Sequence, residues 1–313
     1  MTPEPELRGA GRYAPSPSGD LHLGNLRTAL LAWLFARSTG RQFFMRIEDI
    51  DRDRDAGAAS RQLRDLSAIG LDWDGEPVLQ TSRTTDHEGA ITLLSQRGQV
   101  YECTCTRREI HEAVRAPHTP PGVYPGTCRD LSESERAAAR ARIAPRLPSL
   151  RLKVPEAMLV PSAVQFDDVM LGRVSGVVDD FVLQRGDGTV AYNLAVVVDD
   201  AHMGVDQVVR GDDLAPLTAR QLVLMNLLGY RHPEYAHVPL VLGPTGARLA
   251  KRDGAVTLDD LAAEGVTAPQ VRSVLAQSLS LAAPGECVTM TMMLDRFEPR
   301  HLPRTAWAWP GTV

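Results

Sequence analysis

The first clear pattern of apolar positions is Gly11 to Ala14, a short strand-like run that gives way to the turn-rich Pro15-Ser16-Pro17-Ser18-Gly19-Asp20. Leu26, Leu30 and Leu34 then recur at helical spacing, so the opening reads strand, loop, helix. A second apolar run, Phe43 to Ile47, stops abruptly at Glu48-Asp49, and Ala58 to Ile69 carries the next helical pattern. This alternation predicts a parallel crossover unit and an α/β fold.

From about Gln99 to Leu147 the pattern changes, with Cys, His, Pro and Gly crowded between short segments and an Ala/Arg-rich helix predicted from Glu133 to Arg142. This stretch reads as an inserted subdomain. The alternation resumes with a strand at Phe181 to Gln184, a turn at Gly186-Asp187-Gly188 and the apolar run Leu194 to Val198, expected as a buried strand. Gln207 to Val209 reads as another strand, Leu214 to Leu228 as a helix closed by Gly229, and His237 to Leu242 as a further strand before Gly243-Pro244-Thr245-Gly246.

In open parallel sheets, ligands bind beyond the carboxyl ends of the strands. The Pro-Ser-Pro-Ser loop, Glu48, Asp199-Asp200 and Arg210 each follow a predicted strand, so all are expected to face one crevice. The plainer alternative is that strand ends are polar because loops are polar.

A chain of 313 residues suggests two domains, and 43% apolar with 23% charged residues excludes disorder and fibrous repeats. The net charge of −5 excludes a broad field that recruits nucleic acid, so an RNA partner needs a local basic face. Arg136 to Arg151 is a candidate, and a solvated helix face is its ordinary reading. Met1 to Gly11 lacks the apolar core of a signal peptide, and the apolar stretch near Ala29 to Ala36 ends at Arg37, so a cytoplasmic protein with no membrane partner is expected.

The stretch Pro15-Ser-Pro-Ser-Gly-Asp-Leu-His-Leu-Gly-Asn25 runs a glycine-containing loop into a helix. Backbone N–H groups and the helix dipole can hold phosphate there, Gly24 lets a flat ligand approach, and His22 can donate to a phosphoryl oxygen. This outlines an ATP site lined by His22, Gly24 and Asn25, although His-x-Gly-Asn alone equally suits an N-capping turn. All but two of the 34 basic side chains are arginine, the exceptions being Lys153 and Lys251. Lys251 lies in Arg248-Leu-Ala-Lys-Arg252, where a mobile ammonium suits charge building on a transferring phosphate.

An amino acid with an acidic side chain would be recognised by charge: its side-chain carboxylate needs a rigid cationic fork and its ammonium needs an acid. Arg12 and Arg210 suit the first, Glu48 the second, and Tyr192 can add a hydroxyl contact. An arginine left unpaired by the neutral amide would be costly, so such a pocket rejects the amide analogue of its ligand. For Arg210 or Glu48 alone an ordinary ion pair is the plainer alternative, and for Tyr192 a half-buried strand aromatic. Of the four cysteines, Cys103, Cys105 and Cys128 are clustered and can hold a metal, whereas Cys287 is expected in the core. His111 and His118 lie between them as conventional candidates for a fourth ligand.

Gly11 to Ala29, containing His22-Leu-Gly-Asn, resembles the HIGH region of class I glutamyl-tRNA synthetases. Arg46-Ile-Glu-Asp-Ile-Asp51 and Val196-Val-Val-Asp-Asp200 also match that family, and Arg248 to Arg252 is similar to its KMSKS loop, with Ala250 where the family often has serine. The resemblance implies a Rossmann-like parallel sheet with a zinc-bearing insertion, ATP as substrate with magnesium, and catalytic roles for His22 and Lys251. It makes the pocket of Arg12, Glu48, Tyr192 and Arg210 a glutamate site, adds the backbone at Ala14 and Ser16 to it, and makes Tyr124 the implied fourth zinc ligand beside Cys103, Cys105 and Cys128.

Only about sixty residues follow Lys251, too few for a helical anticodon-binding region, so the chain is most similar to the truncated paralogues, the glutamyl-Q tRNA(Asp) synthetases. The ending from Phe297 to Arg304, with Trp307 and Trp309, is similar to theirs. That resemblance implies tRNA-independent activation of L-glutamate and its transfer to queuosine in the anticodon of tRNA(Asp). The expected division is residues 1–98 and 151–256 for the two halves of the catalytic domain, 99–150 for the insertion and 257–313 for a short helical tail. A truncated enzyme charging the tRNA 3′ end and a non-catalytic RNA-binding module are the competing readings.

Overall fold

The computed structural model describes residues 9–51, 56–113, 123–159, 164–243, 246 and 256–311, without the side chains of 111–113. Strand β1 (Ala10–Tyr13) leads through the loop at 15–20 into α1 (Leu23–Ser38), which returns the chain to β2 (Gln42–Ile47), parallel to β1. Next come α2 (Ala59–Ala68), β3 (Val78–Leu79), a 3-10 turn at Gln80–Arg83 and α3 (Thr84–Gln96). The intervening region holds β4 (Val100–Cys103), α4 (Arg107–Ala113), α5 (Glu133–Ile143), β5 (Ser149–Leu152), β6 (Val164–Asp168), β7 (Gly172–Gly176) and β8 (Val182–Gln184). Then follow α6 (Tyr192–His202), β9 (Val205–Gly211), α7 (Ala215–Leu228), β10 (Glu234–Val238) and β11 (Val241–Leu242). The chain ends with α8 (Leu258–Ala263), α9 (Ala268–Ser278), α10 (Met290–Arg296) and β12 (Trp307–Ala308).

The main sheet has the order β3-β2-β1-β9-β10-β6-β7, parallel throughout except for the edge strand β7. The chain moves outward from β1 to β2 on one side and from β9 to β10 on the other, so β1 and β9 flank the switch point. A crevice opens there beyond their carboxyl ends. Successive strand residues point to opposite faces. In β9, Val208 joins a core with α3, α6 and α7 residues, while Val209 joins a second core with α1 and the C-terminal helices. Tyr235 and Ala236 in β10 divide the same way. Two cores therefore sandwich one sheet, and α1 is buried nearly all round because the C-terminal helices cover its outer side.

Segment 257–311 shares that core: Leu275, Met293, Phe297 and Trp309 are buried in it, and β12 pairs with β11. Arg27 of α1 is buried with them and donates to Pro239 O (2.8 Å) and Ser278 Oγ (3.0 Å), while burial lowers its pKa to about 10. A separate three-stranded sheet, β4-β5-β8, supports the cysteine-rich insertion.

The structure corrects several sequence expectations. The run Leu194 to Val198 is the middle of helix α6, and Asp199-Asp200 lie in the same helix instead of beyond a strand. An apolar run this short does not separate helix from buried strand, and its valines favour a strand by propensity. Packing overrides that preference, since α6 lies against α3 and α7 and every residue from Leu194 to Asp200 is buried. Tyr192 accordingly opens a helix and does not sit in a strand. The single strand expected over His237 to Leu242 divides into β10 and β11, which belong to different sheets. Cys287 is exposed, not core.

Candidate active site

Period-two alternation explains how one polar site arises on an apolar sheet. Arg46, Arg12, Arg210 and His237 stand near the carboxyl ends of β2, β1, β9 and β10, four neighbouring strands. Each is two residues beyond a member of the core that contains α6: Phe44, Ala10, Val208 and Tyr235. All four therefore point to the face covered by α6, and Arg210 and His237 are direct register partners.

That face holds a buried ion network. Arg12 Nε contacts Asp200 Oδ1 at 3.1 Å, and Arg46 Nη1 reaches the same oxygen at 2.7 Å. Arg46 Nη2 pairs with Glu48 at 3.2 Å, and Asp199 accepts from Gln80 (2.7 Å) and Arg83 (2.9 Å). Burial opposes ionisation of Asp200, but Arg12 and Arg46 outweigh it and hold the carboxyl below its ordinary value. Glu48 goes the other way: burial lifts its pKa above the ordinary value despite Arg46 and Arg12.

Arg210 is held differently. Its Nε donates to His237 Nε2 (3.1 Å), and its Nη2 donates to Thr218 Oγ1 and Gln221 Oε1, both at 2.8 Å. His237 is fully buried with Nδ1 2.6 Å from Asp168 Oδ2. Burial lowers the imidazole pKa against the pull of Asp168, so the ring is neutral, donating from Nδ1 and accepting at Nε2.

At the head of α1, His22 is the N-cap residue. Its Nδ1 accepts from Gly24 N (3.1 Å) and Asn25 N (3.3 Å), which places the ring proton on Nε2. A Cβ on Gly24 would lie 2.9 Å from the His22 ring, so this glycine is required by the cap itself, before any ligand is considered. Capping and phosphate donation are thus compatible uses of the two ring nitrogens. The loop at 15–20 is clamped by Gln62, whose Nε2 donates to Ser16 O (2.9 Å) and Gly19 O (2.6 Å).

These groups converge. A cleft of about 600 Å³ is lined by Arg12, Ala14, Ser16, His22, Gly24, Asn25, Glu48, Tyr192 and Arg210. A wider cleft of about 1190 Å³ shares Ser16, Glu48 and Tyr192 and continues past Arg107, Arg146, Arg151 and Arg185 toward the insertion. Lys251 lies outside the described residues, as does the rest of 247–255. Val256, just beyond, accepts from Leu23 N (3.1 Å), and Thr257 bridges to His22. The chain therefore returns to the head of α1 immediately after that segment.

In the insertion, the sulfur atoms of Cys103, Cys105 and Cys128 lie within 4.8 Å of one another. Tyr124 Oη sits 3.4 Å from Cys103 Sγ and 3.9 Å from Cys105 Sγ, and Cys105 Sγ is 3.6 Å from Cys128 Sγ. A tetrahedral zinc with bonds of about 2.3 Å to sulfur needs ligand separations of roughly 3.8 Å, so the three sulfurs fit one, with the Tyr124 oxygen beside two of them. The Cys105 hydrogen bond pulls the Cys103 thiol well below its ordinary range. Arg151 lies 3.7 Å over the Tyr124 ring and adds positive charge beside the cluster. His111 is in α4, its side chain outside the described part, and His118 lies outside the described residues altogether.

Sequence reasoning missed His237, Asp168, Thr218, Gln221 and Gln62. Their types are unremarkable in sequence, and Asp168 and His237 are 69 positions apart.

A switch-point cleft between a capped helix and an arginine-lined sheet end is the architecture of a class I synthetase catalytic domain. Residues 10–310 match the family model for class I tRNA synthetases (E and Q), catalytic domain. The chain is 58% identical to the Glutamyl-Q tRNA(Asp) synthetase of Nocardia farcinica, over 97% of this chain and 94% of that protein. It is 47% identical to the protein of the same name from Cutibacterium acnes, over 97% and 88% of the two chains. A crystal structure of glutamate-tRNA synthetase from Elizabethkingia anophelis superposes with a TM-score of 0.81 at 25% identity, covering 97% of this chain but 68% of the other. The chain belongs to the glutamyl-Q tRNA(Asp) synthetases.

Proposed function

We propose that the protein activates L-glutamate with ATP in the absence of tRNA and transfers the glutamyl group to queuosine in the anticodon of tRNA(Asp). The observation that carries this reading is the single cleft in which a phosphate-binding helix start and a cationic pocket meet. In this reading Arg12, Arg210 and Tyr192 receive the amino acid with the backbone at Ala14 and Ser16, while Glu48 takes its ammonium. His22, Gly24 and Asn25 receive the phosphates, with Lys251 and magnesium bound to the nucleotide.

The α-carboxylate of glutamate attacks the α-phosphorus of ATP in line. A carboxyl oxygen–phosphorus bond forms, the bond to the β-phosphoryl oxygen breaks, and pyrophosphate leaves. His22, through Nε2–H, and Lys251 stabilise the charge that builds on the phosphates. A hydroxyl of the queuosine ring then attacks the activated carbonyl and displaces AMP, a step that needs no nucleophilic side chain. The wider cleft gives the RNA a positively charged approach to the same Glu48 and Tyr192.

Cys103, Cys105, Cys128 and Tyr124 would hold a structural zinc ion, which neutralises the thiolates and fixes the insertion. We divide the chain into catalytic halves 1–98 and 151–256, an insertion 99–150 and a helical tail 257–313. Among the described residues no helix is long and apolar enough to cross a membrane, in keeping with a cytoplasmic tRNA-modifying enzyme.

The test is incubation of labelled glutamate and ATP with tRNA(Asp), with and without queuosine, each with its 3′-terminal adenosine intact or removed enzymatically. Label only on queuosine-containing RNA is the expected result. Label only on RNA with an intact 3′ end would reject the acceptor, and absence of glutamate-dependent pyrophosphate exchange without RNA would reject activation.

A further inference from the structure

The three arginines on the α6-covered face are not equivalent. Arg12 and Arg46 share the carboxylate of Asp200, and Arg46 also meets Glu48, so their charges are largely met within the protein. Arg210 is just as deeply buried, yet its hydrogen-bond acceptors are an imidazole, a hydroxyl and an amide. Among the described residues no carboxylate forms an ion pair with it. We propose that the neutral acceptors His237, Thr218 and Gln221 select a dicarboxylic amino acid over its amide, because they orient Arg210 without cancelling its charge. This inference rests on the glutamate-activating reading above.

Keeping a buried guanidinium oriented and uncancelled is a demanding arrangement. Buried cations ordinarily acquire a carboxylate partner, and here the nearest carboxylate on the network, Asp168, is separated from Arg210 by the His237 ring. The charge of Asp168 is also spread over backbone N–H groups of Met170 and Leu171 (each 2.9 Å) and of His237 (3.1 Å). Tyr235 supplies a further neutral contact, its ring centroid 5.5 Å from the guanidinium carbon. The result is a rigid cation whose missing counter-ion the substrate brings. Glutamate supplies that carboxylate; glutamine leaves the cation desolvated and uncompensated. His237, Thr218 and Gln221 are positioning residues in this scheme, since they act through Arg210.

A near-isosteric change tests it. Gln221→Glu keeps a charged acceptor on Arg210 Nη2, and the donation from Gln221 Nε2 to Asn193 Oδ1 (3.2 Å) is replaced by donation from a flipped Asn193 amide, so a purely structural role predicts a folded enzyme with normal kinetics. Cancelling the charge predicts instead that KM for glutamate rises at least about tenfold while KM for ATP stays within about twofold, and that the preference for glutamate over glutamine falls at least about tenfold. Both are read by pyrophosphate exchange without RNA, with thermal melting to confirm folding. If Gln221→Glu does not fold, Thr218→Asp places a carboxylate against the same Nη2. A folded variant with unchanged glutamate KM and discrimination, beside an active wild-type enzyme, overturns the inference alone. Absence of glutamate-dependent exchange in the wild-type enzyme overturns the functional reading and the inference with it.

Discussion

Arg12 Nε lies 3.1 Å from one carboxylate oxygen of Asp200 and 3.3 Å from the other, tying the end of the first strand to helix α6 across 188 residues of sequence. Arg46 shares this carboxylate, so removing it leaves two buried guanidinium groups short of a partner. Asp200→Ala is therefore expected to destabilise the fold by about 3–5 kcal/mol in urea unfolding. The folded carboxyl titrates below the ordinary 3.8, so its stabilisation is complete above that value and is lost as pH falls through the lower folded pKa. Asp200→Asn should remove this contribution at neutral pH and flatten the acid dependence of stability. An unaltered acid profile would contradict the assignment.

Glu48 gives a pH signature of the opposite sense. Its folded pKa lies above the ordinary 4.5, so the carboxylate that would meet the substrate ammonium is protonated earlier on acidification. The acid limb of kcat/KM for glutamate is expected above 4.5, with kcat/KM falling as pH drops through it. Glu48→Gln should lower kcat/KM by about a hundredfold at neutral pH and abolish the limb. Pyrophosphate exchange across a pH series, corrected for titration of the substrates, measures both.

The cysteine cluster predicts one zinc ion per chain by elemental analysis. Cys105→Ser should abolish tight retention, and Tyr124→Phe should weaken it by at least about tenfold in competition with a chromogenic chelator. A Tyr124→Phe protein with wild-type affinity would move the fourth ligand elsewhere, with His111 and His118 the residues to change next.

Trp309 is buried against the α1 core, its backbone N–H donates to Leu242 O (2.9 Å), and its ring packs edge-on to Trp307. Trp309→Ala should cost about 3–5 kcal/mol. Because the tail shares a core with the HIGH-like helix, the loss should appear in one cooperative transition of the catalytic core. A separate low-stability transition with the main one unmoved would show the tail to be an independent unit.

The sequence carried the parts of this protein that local chemistry encodes. Strand, loop and helix at the start, the glycine closing α7 and the cysteine spacing are written in turn residues and periodicity, and the motif series carries the family. The run Leu194 to Val198 shows where that stops: five apolar residues fit a buried strand or a helix enclosed on every side, and only packing against α3 and α7 selects the helix. The same selection brings Asp199 and Asp200 under the arginines. Tertiary structure alone decided which charges are met and which are left for a ligand. Asp168 and Arg210 are distant in the chain, and the neutrality of the His237 ring between them comes from burial, which no window of sequence displays.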